Sequence, residues 1–146
     1  PQLTECHSLA GVPTPQPMMM RLQTDLVAVC RAACDGQLEQ QEAQWDPRPA
    51  LGVLLAAGGY PEKYRKGDVI SGLEAATSPD GKVFHAGTTL QGEDVVTNGG
   101  RVLCVTGLGD DIAAAQKQAY ALAKAISWEG CFCRTDIGYR AINRQK

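Results

Sequence analysis

The sequence predicts an α+β fold, in which a helical lead-in precedes a small mixed α/β domain with a short-stranded sheet and one long helix. Two observations carry this prediction. Short apolar runs separated by glycine-bearing turns occupy residues 50–107, a spacing typical of β-strands. Residues 112–126 then repeat apolar side chains every three or four positions, the period of one buried helical face. Six of the eight prolines lie within the first 49 residues, which predicts two units, 1–49 and 50–146.

The first unit is predicted to contain an irregular segment, a helix and a linker. Prolines at alternate positions from Pro13 to Pro17 forbid both a helix and a central strand. From Met18 the pattern becomes helical, and Gly36 follows as a left-handed C-terminal cap. The polar stretch 37–49 is interpreted as a linker. The apolar stripe of the helix consists of Leu22, Leu26, Val29, Cys30 and Ala33.

The second unit begins with a strand that we expect to be buried on both faces, because residues 50–57 form a continuous apolar run that ends at Gly58-Gly59. Further strands are expected at 68–70, 82–90, 94–97 and 101–107. Asp110 or Asp111 then caps the long helix. Residues 131–133 and 137–142 would close the domain.

Composition excludes several classes of protein. The 146 residues carry 14 basic and 16 acidic side chains, and the net charge of −2 argues against a protein that grips nucleic-acid phosphates. No run approaches the ~20 apolar residues of a membrane span. The N-terminal residues lack the layout of a signal peptide. The low cysteine content, well below that of disulfide scaffolds, favours a reduced, cytoplasmic chain. Because an initiator methionine is also missing, we expect a processed chain or a piece of a longer one.

The six cysteines favour buried, reduced thiols over a disulfide framework or a metal site. Cys30 and Cys34 lie one helical turn apart in an apolar segment, where cysteine behaves as a small hydrophobe. Cys131 and Cys133 would share one strand face, too close along the chain to bridge each other easily. Neither the cysteines nor the two histidines show the paired spacing of a zinc site. A small Cys/His metal protein stays open as an alternative.

Three glycine-bearing turns are the places where the residues alone indicate chemistry: 58–61, 86–88 and 98–101. Paired glycines let a backbone approach a ligand closely, although they also make ordinary tight turns. None of the three matches a phosphate-loop or dinucleotide fingerprint. His85 is either a half-buried strand residue or a polar group facing a cleft. Arg101, beside a glycine pair, is either an anion contact or a surface arginine.

Several sequence words occur in order along about nine-tenths of the chain. They are QPMMMRL at 16–22, GVLLAAGGYP at 52–61, KGDVI at 66–70, KVFHAGT at 82–88, VTNGGRVLCV at 96–105 and RTDIGYRAI at 134–142. Together with the alanine-rich helix around Gln118-Ala119-Tyr120, these words resemble the C-terminal part of the glycinamide ribonucleotide synthetase (phosphoribosylamine–glycine ligase) family. Several words in register are far more specific than any single motif.

The resemblance implies an ATP-grasp enzyme of purine synthesis. Residues 1–49 would be the end of the ATP-grasp domain, and 50–146 the C-terminal domain. Such ligases use ATP to convert the glycine carboxylate into an acyl phosphate, which the amine of phosphoribosylamine attacks to give an amide, ADP and phosphate. Mg²⁺ (or Mn²⁺) bridging the phosphates offsets developing charge. The implied partners are these small molecules, without nucleic acid or membrane, and the implied whole enzyme is a monomer.

The resemblance also implies site residues. The family's metal and phosphate segment, of the form EFNCRFGDPETQP, aligns with residues 5–17. There Glu5 carries over as a magnesium ligand, and His7 replaces the family asparagine. Arginine, aspartate and glutamate of the family pattern are replaced by side chains that cannot make the same contacts, namely Leu9, Val12 and Thr14. The C-terminal domain would cover one side of the active site, with the substrate-facing candidates His85, Asn98, Gly99, Gly100 and Arg101.

Two interpretations of the chain itself follow. The nucleotide-binding lobes of the family lie upstream and are absent from these 146 residues. The chain is therefore expected to be inactive alone and active only within a full-length ligase. Alternatively, it is a non-catalytic stand-alone α+β module or relic without a specific ligand.

Overall fold

The computed structural model describes residues 15–144. Its elements in chain order are α1 (Gln16–Arg21), α2 (Leu26–Cys34), a 3₁₀ turn (Leu38–Gln40), β1 (Ala50–Ala56), β2 (Gly81–His85), β3 (Thr88–Gln91), β4 (Asp94–Thr97), β5 (Arg101–Leu108), α3 (Ile112–Ala123) and α4 (Tyr139–Arg144). The predicted small mixed domain is confirmed, since short antiparallel strands and one long helix share a core. None of the described helices is long and apolar enough to cross a membrane.

A three-stranded antiparallel sheet in the order β1-β5-β2 forms the centre of the fold. β5 takes the middle position because every residue from Val102 to Leu108 is buried. Val105 pairs with Val53 on one side and with Val83 on the other, so three β-branched side chains stand in a row on one face. β3 and β4 form a separate two-stranded sheet, so the single sheet expected from the sequence is in fact two.

Helix α3 covers one face of the central sheet through its smallest side chains. Ala115 and Ala119 are fully buried against β1. The helix backbone also approaches Gly107 of β5 so closely that a β-carbon there would lie 2.6 Å from the Ala119 nitrogen. The Asp111 carboxylate accepts a hydrogen bond from the Ala114 amide at 2.7 Å. This bond confirms Asp111 as the N-cap of the helix.

Helix α1 lies on the opposite face of the sheet. A β-carbon at Gly52 of β1 would meet the Pro17 ring and the Cys104 sulfur, each at 3.1 Å. Along β1 the residues that face α3 are buried, whereas Gly52 and Leu54 between them are half-buried. The prediction of a strand buried on both faces is therefore correct for one face and only partly so for the other. The reason is that α1 has six residues, none of them buried.

Arg48 attaches the predicted linker to the rest of the fold. Its guanidinium donates to both carboxylate oxygens of Asp46 and, at 2.7 Å, to the Asp80 carboxylate in the turn before β2. Asp46 is in turn joined to α1, because its backbone amide donates to the Arg21 carbonyl at 2.7 Å and its carbonyl accepts from Arg21 Nε at 3.0 Å. The end of the linker is thus held to both α1 and the turn before β2.

Acid is expected to release this attachment. The side chain of Arg48, and then its backbone amide, donate to the Asp46 carboxylate and hold the pKa of that carboxyl below the usual 3.8. A carboxylate whose folded-state pKa is lowered stabilises the fold above its unfolded pKa and loses this contribution as the pH falls through the lowered value. We therefore expect the fluorescence of Trp45 to change only below pH 3.8, and the change to begin at higher pH in Arg48→Gln.

Two further variants make this titration specific. Trp128→Phe leaves Trp45 as the sole indole reporter and removes no hydrogen bond, since the buried Trp128 Nε1 has no partner among the described residues. Arg134→Gln removes a similar pair of hydrogen bonds, from the Arg134 guanidinium to the Asp136 carboxylate, and should leave the Trp45 transition in place. Far-UV circular dichroism separates the local event from global unfolding. A transition at the same pH with and without Arg48→Gln would contradict the role of the arginine.

The single helix expected in the lead-in is two helices, α1 and α2. Leu22 leaves the helical path and pairs with Trp45 as an isolated bridge. Asp25 then starts α2 as its N-cap, with its carboxylate accepting from the Val27 amide at 2.8 Å. The predicted apolar stripe is also wrong as a buried face, because Ala32 is the one buried residue of α2.

Three of the predicted strands are corrected by the structure. Residues 68–70 make only an isolated bridge to β4, since Gly67 at φ +87° turns the chain just before it. The strand expected over 82–90 is two strands, β2 and β3, because two successive amides at their junction donate to one carbonyl of β5 and bend the chain. Residues 131–133 make only a bridge to β1, after Gly130 at φ +76°. Residues 137–142 run into α4.

Candidate functional site

The three glycine-bearing turns of the sequence meet at one end of the central sheet. Turns 86–88 and 98–101 touch through their backbones, since a β-carbon on Gly87 would lie 2.9 Å from the Gly99 α-carbon. The Asn98 amide donates to the Gly87 carbonyl at 2.7 Å and ties the two turns together. Glycine is required at Gly87 and Gly99 because any side chain would separate these backbones.

The remaining turn, 58–61, packs on Gly100. This glycine is buried, and a β-carbon there would collide with the Tyr60 ring and lie 3.0 Å from the Tyr64 ring. The two rings lie 6.1 Å apart and are tilted by 58°, a favourable aromatic arrangement. The Ala57 amide donates to the Gly100 carbonyl at 2.9 Å. Residues 98–101 are therefore held in place by both neighbouring turns.

His85 ends β2 at the edge of this junction. Its side chain is exposed, so its interpretation as a half-buried strand residue is wrong. The ring nitrogen Nδ1 lies 3.0 Å from the Thr88 hydroxyl, and Nε2 makes no hydrogen bond with any residue of 15–144. His85 also lines an open groove of about 270 Å³ together with Leu73, Ala76, Thr77, Gly81, Lys82 and Val83.

Arg101 begins β5 directly after the glycine pair, and its side chain is exposed. It makes no hydrogen bond or ion pair with any residue of 15–144. Asn98, at the start of the same turn, is exposed as well. Of the five residues predicted to face substrate, Asn98, Gly99, Gly100 and Arg101 form one turn, and His85 directly precedes the turn whose backbone contacts it.

Sequence reasoning missed the two tyrosines of this junction. Tyr60 follows the Gly58-Gly59 pair, so the sequence predicts the turn that contains it. Tyr64 lies shortly after that turn in the chain. Nothing near either residue indicates that its ring packs on Gly100, far along the chain. The signal that could have found them is the glycine pair itself, because a buried glycine needs a neighbour that fills the space of the missing side chain.

A metal centre is not formed within residues 15–144, where no three His, Cys, Asp or Glu side chains are grouped to hold an ion. Glu5 and His7, the ligands implied by the resemblance, lie outside the described residues. The alternative of a small Cys/His metal protein therefore gains no support from the part of the chain that the structure describes.

The five cysteines of the described part are free thiols. Cys104 is buried, as expected, and burial raises its pKa. Burial also raises the pKa of Cys131 to about 11, which keeps this thiol protonated and a poor metal ligand. The expectation of buried thiols is wrong for Cys30 and Cys34, which are exposed. The physical reason is that α2 packs mainly on the short 3₁₀ turn and not on the sheet.

Known proteins are similar to this sequence over its whole length. The profile of the family described as "Phosphoribosylglycinamide synthetase, C domain" matches residues 50–140. The phosphoribosylamine–glycine ligases of Pseudomonas syringae pv. tomato and Vibrio cholerae are each 58% identical to the chain over 146 residues, which is 100% of the chain and 34% of each relative. The chain thus spans about a third of the length of these curated relatives.

A solved structure shares the fold. The crystal structure of phosphoribosylamine–glycine ligase from Thermotoga maritima superposes with a TM-score of 0.60 and 35% sequence identity, over 74% of this chain and 27% of that protein. The resemblance seen in the sequence words is confirmed by these matches. The chain belongs to the phosphoribosylglycinamide synthetase (phosphoribosylamine–glycine ligase) family, and residues 50–140 are its C domain.

Proposed function

We propose that the chain is the C-terminal part of a phosphoribosylamine–glycine ligase of purine (IMP) biosynthesis. In this reaction ATP converts the glycine carboxylate into glycyl phosphate, the amine of phosphoribosylamine attacks the carbonyl, and an amide, ADP and phosphate result. The observation that carries the proposal is 58% identity over all 146 residues, including the residues that precede the C domain. The proposal places a monomeric enzyme in the cytoplasm, acting on small molecules without nucleic acid or membrane.

The lead-in supports a position within a larger protein. Among residues 15–49 only Ala32 is buried, whereas Val27 of α2 is 74% exposed and Trp45 is 40% exposed. A helix of nine residues is not stable in water without tertiary packing. The apolar side of α2 therefore needs a covering surface. We assign this surface to the ATP-grasp domain of the whole enzyme, of which residues 1–49 would be the end.

In the proposed enzyme the junction of the three turns faces substrate. His85, Asn98 and Arg101 supply exposed hydrogen-bond donors, and Gly99 and Gly100 form the close-packed backbone between them. Donors of this kind suit the phosphate and carboxylate groups of phosphoribosylamine, glycine and ATP. These residues would bind and orient substrate, and the proposal gives none of them the role of acid, base or nucleophile.

The magnesium ion of the family does not fit the described residues, because no three potential ligands are grouped within 15–144. We assign the ion to Glu5, with His7 in the place of the family asparagine. Hard cations prefer oxygen ligands, so His7 is a weaker ligand than the amide it replaces. ATP would be held by the lobes of the whole enzyme, and we expect no turnover by the 146 residues alone.

A fusion enzyme tests the proposal. The chain replaces the C-terminal third of the Pseudomonas syringae relative, and a second version restores the family pattern with His7→Asn, Leu9→Arg, Val12→Asp and Thr14→Glu. We expect the restored fusion to release ADP, and this release to depend on both glycine and phosphoribosylamine. The intact relative sets the scale, and its truncated first two-thirds is the control for residual activity.

The outcomes of this experiment separate the two interpretations of the chain. Activity in the restored fusion and none in the unrestored fusion would locate the defect in residues 5–17 and leave the C domain competent. A soluble, folded, restored fusion that releases no ADP in response to glycine would contradict the proposal. That result would favour a non-catalytic α+β module without a specific ligand.

A further inference from the structure

Cys30 and Cys34 are the exposed pair among the five free cysteines of the described part. Both belong to α2, and Cys34 is its last residue. Ala32, the buried residue of this helix, lies two positions from each of them. Two positions are about half a turn of an α-helix, so both thiols lie on the side that faces away from the fold. Val27, three positions before Cys30 and so on the same side, is 74% exposed.

The spacing of the two thiols suits a bridge through one atom and not a disulfide. Residues four apart on a helix have β-carbons about 5–6 Å from each other. A disulfide requires β-carbons within about 3.5–4.5 Å of each other. A bond between the Cys30 and Cys34 sulfurs would therefore need the last turn of α2 to unwind. An atom bonded to both sulfurs lengthens the link by one bond and spans the wider gap while the helix stays intact.

The donor set limits what the bridging atom can be. No three His, Cys, Asp or Glu side chains are grouped within residues 15–144, so the three or four protein ligands of a zinc site are absent there. Thiolates favour soft centres. Arsenic(III) is a soft centre that bonds two thiolates and keeps its third substituent, so two cysteines on one helix face complete its coordination. The pair thus fits an arsenic(III) compound that carries one organic group.

We propose that Cys30 and Cys34 form a dithiol site for trivalent organoarsenicals. With an oxide of the form R–As=O, each thiol forms one arsenic–sulfur bond, and its proton leaves on the arsenic oxygen. One water molecule is released, two As–S bonds replace the As=O bond, and arsenic stays in its +3 state. The resulting ring across the last turn of α2 holds that turn in its helical form.

This inference goes beyond the proposed function and does not rest on it. In the whole enzyme the same side of α2 would face the ATP-grasp domain, so the experiment uses the 146-residue chain. The outcome of the fusion experiment and the outcome of the arsenical titration are therefore independent of each other.

Phenylarsine oxide is the probe, and Cys6→Ser is the parent because Cys6 lies outside the described residues. We expect one arsenic bound per chain, two thiols lost to a thiol reagent, and slower hydrogen exchange of the α2 amides. Cys30→Ser and Cys34→Ser should each raise the apparent Kd about a hundredfold or more, since a single thiol lacks the second, intramolecular bond. Dithiothreitol should remove the arsenic at a concentration at which a monothiol does not.

Two further variants are the matched controls. Cys131→Ser removes a half-buried thiol and should leave the Kd unchanged. Cys34→Ser combined with Asp35→Cys keeps two thiols but moves one to another side of the helix, so it should bind as weakly as Cys34→Ser alone. Circular dichroism checks that each variant folds. Equal affinity in the parent and Cys30→Ser, tight binding by the shifted pair, weaker binding by Cys131→Ser, or one thiol lost per arsenic would overturn the inference.

Discussion

Gly107→Ala is expected to destabilise the domain by about 3 kcal/mol. A β-carbon at this position would lie 2.6 Å from the Ala119 nitrogen and 2.7 Å from the Ala115 carbonyl oxygen. Both are backbone atoms inside α3, so no side-chain rotation relieves the clash. The helix has to move away from β5, and the fully buried contacts of Ala115 and Ala119 with the sheet loosen as a result.

Gly52→Ala is the matched control for this substitution. Gly52 lies in the neighbouring strand, opposite Thr106, and faces α1 and not α3. The atoms nearest to a β-carbon there are the Cys104 sulfur and the Pro17 ring, at 3.1 Å, and these side-chain atoms can shift slightly. We expect a cost below about 1 kcal/mol. Urea denaturation followed by circular dichroism measures both free energies of unfolding, and equal costs would contradict the close helix–sheet contact.

The apolar pattern of the sequence predicts which segments form the core but not how closely they approach. β5 and α3 follow from their patterns, and of the two candidates for the N-cap of α3, Asp110 and Asp111, the structure uses Asp111. Gly107 sits in the apolar run of β5, where it looks like any other small residue. Its role depends on two alanines of α3 that contact it only after the helix has docked. A property of that kind belongs to the tertiary structure and has no local signal.

The helical lead-in shows a second limit of prediction from sequence. Its apolar spacing predicts a helix with a face that needs burial, and α2 does form, yet Val27 and Leu26 on it are exposed. Periodicity indicates that a face is apolar and says nothing of what covers it. The attachment of the linker is equally invisible in the sequence, since Arg48 and Asp80 are separated by 32 positions. Ion pairs between distant residues follow no local spacing.

The candidate site was predictable as three separate turns. Glycines indicate where the chain bends, and all three turns are present. Their meeting depends on the register of β2 with β5, which places His85 opposite Leu103 and so brings turn 86–88 beside turn 98–101. Register results from the whole sheet. That the five candidate residues face substrate stays a prediction.

Gly100→Ala is expected to cost about 2 kcal/mol of stability and to disturb the junction that carries Arg101. The added β-carbon would collide with the Tyr60 ring, with its Cε2 at 2.7 Å, and would crowd the Tyr64 ring as well. Tyr60 and Tyr64 pack on each other, so neither ring moves freely. The turn has to shift instead, and Arg101 follows it as the next residue.

A double-mutant cycle isolates the tyrosine as the obstacle. Tyr60→Ala removes the ring that the new β-carbon would strike, so in that background Gly100→Ala should cost at least about 1 kcal/mol less than in the parent. Tyr139→Ala is the matched control background, because Tyr139 is an exposed tyrosine outside the junction and offers no such relief. Urea denaturation of the single and double variants gives the coupling free energy. The same cost of Gly100→Ala in all three backgrounds would mean that packing on Tyr60 does not hold the turn.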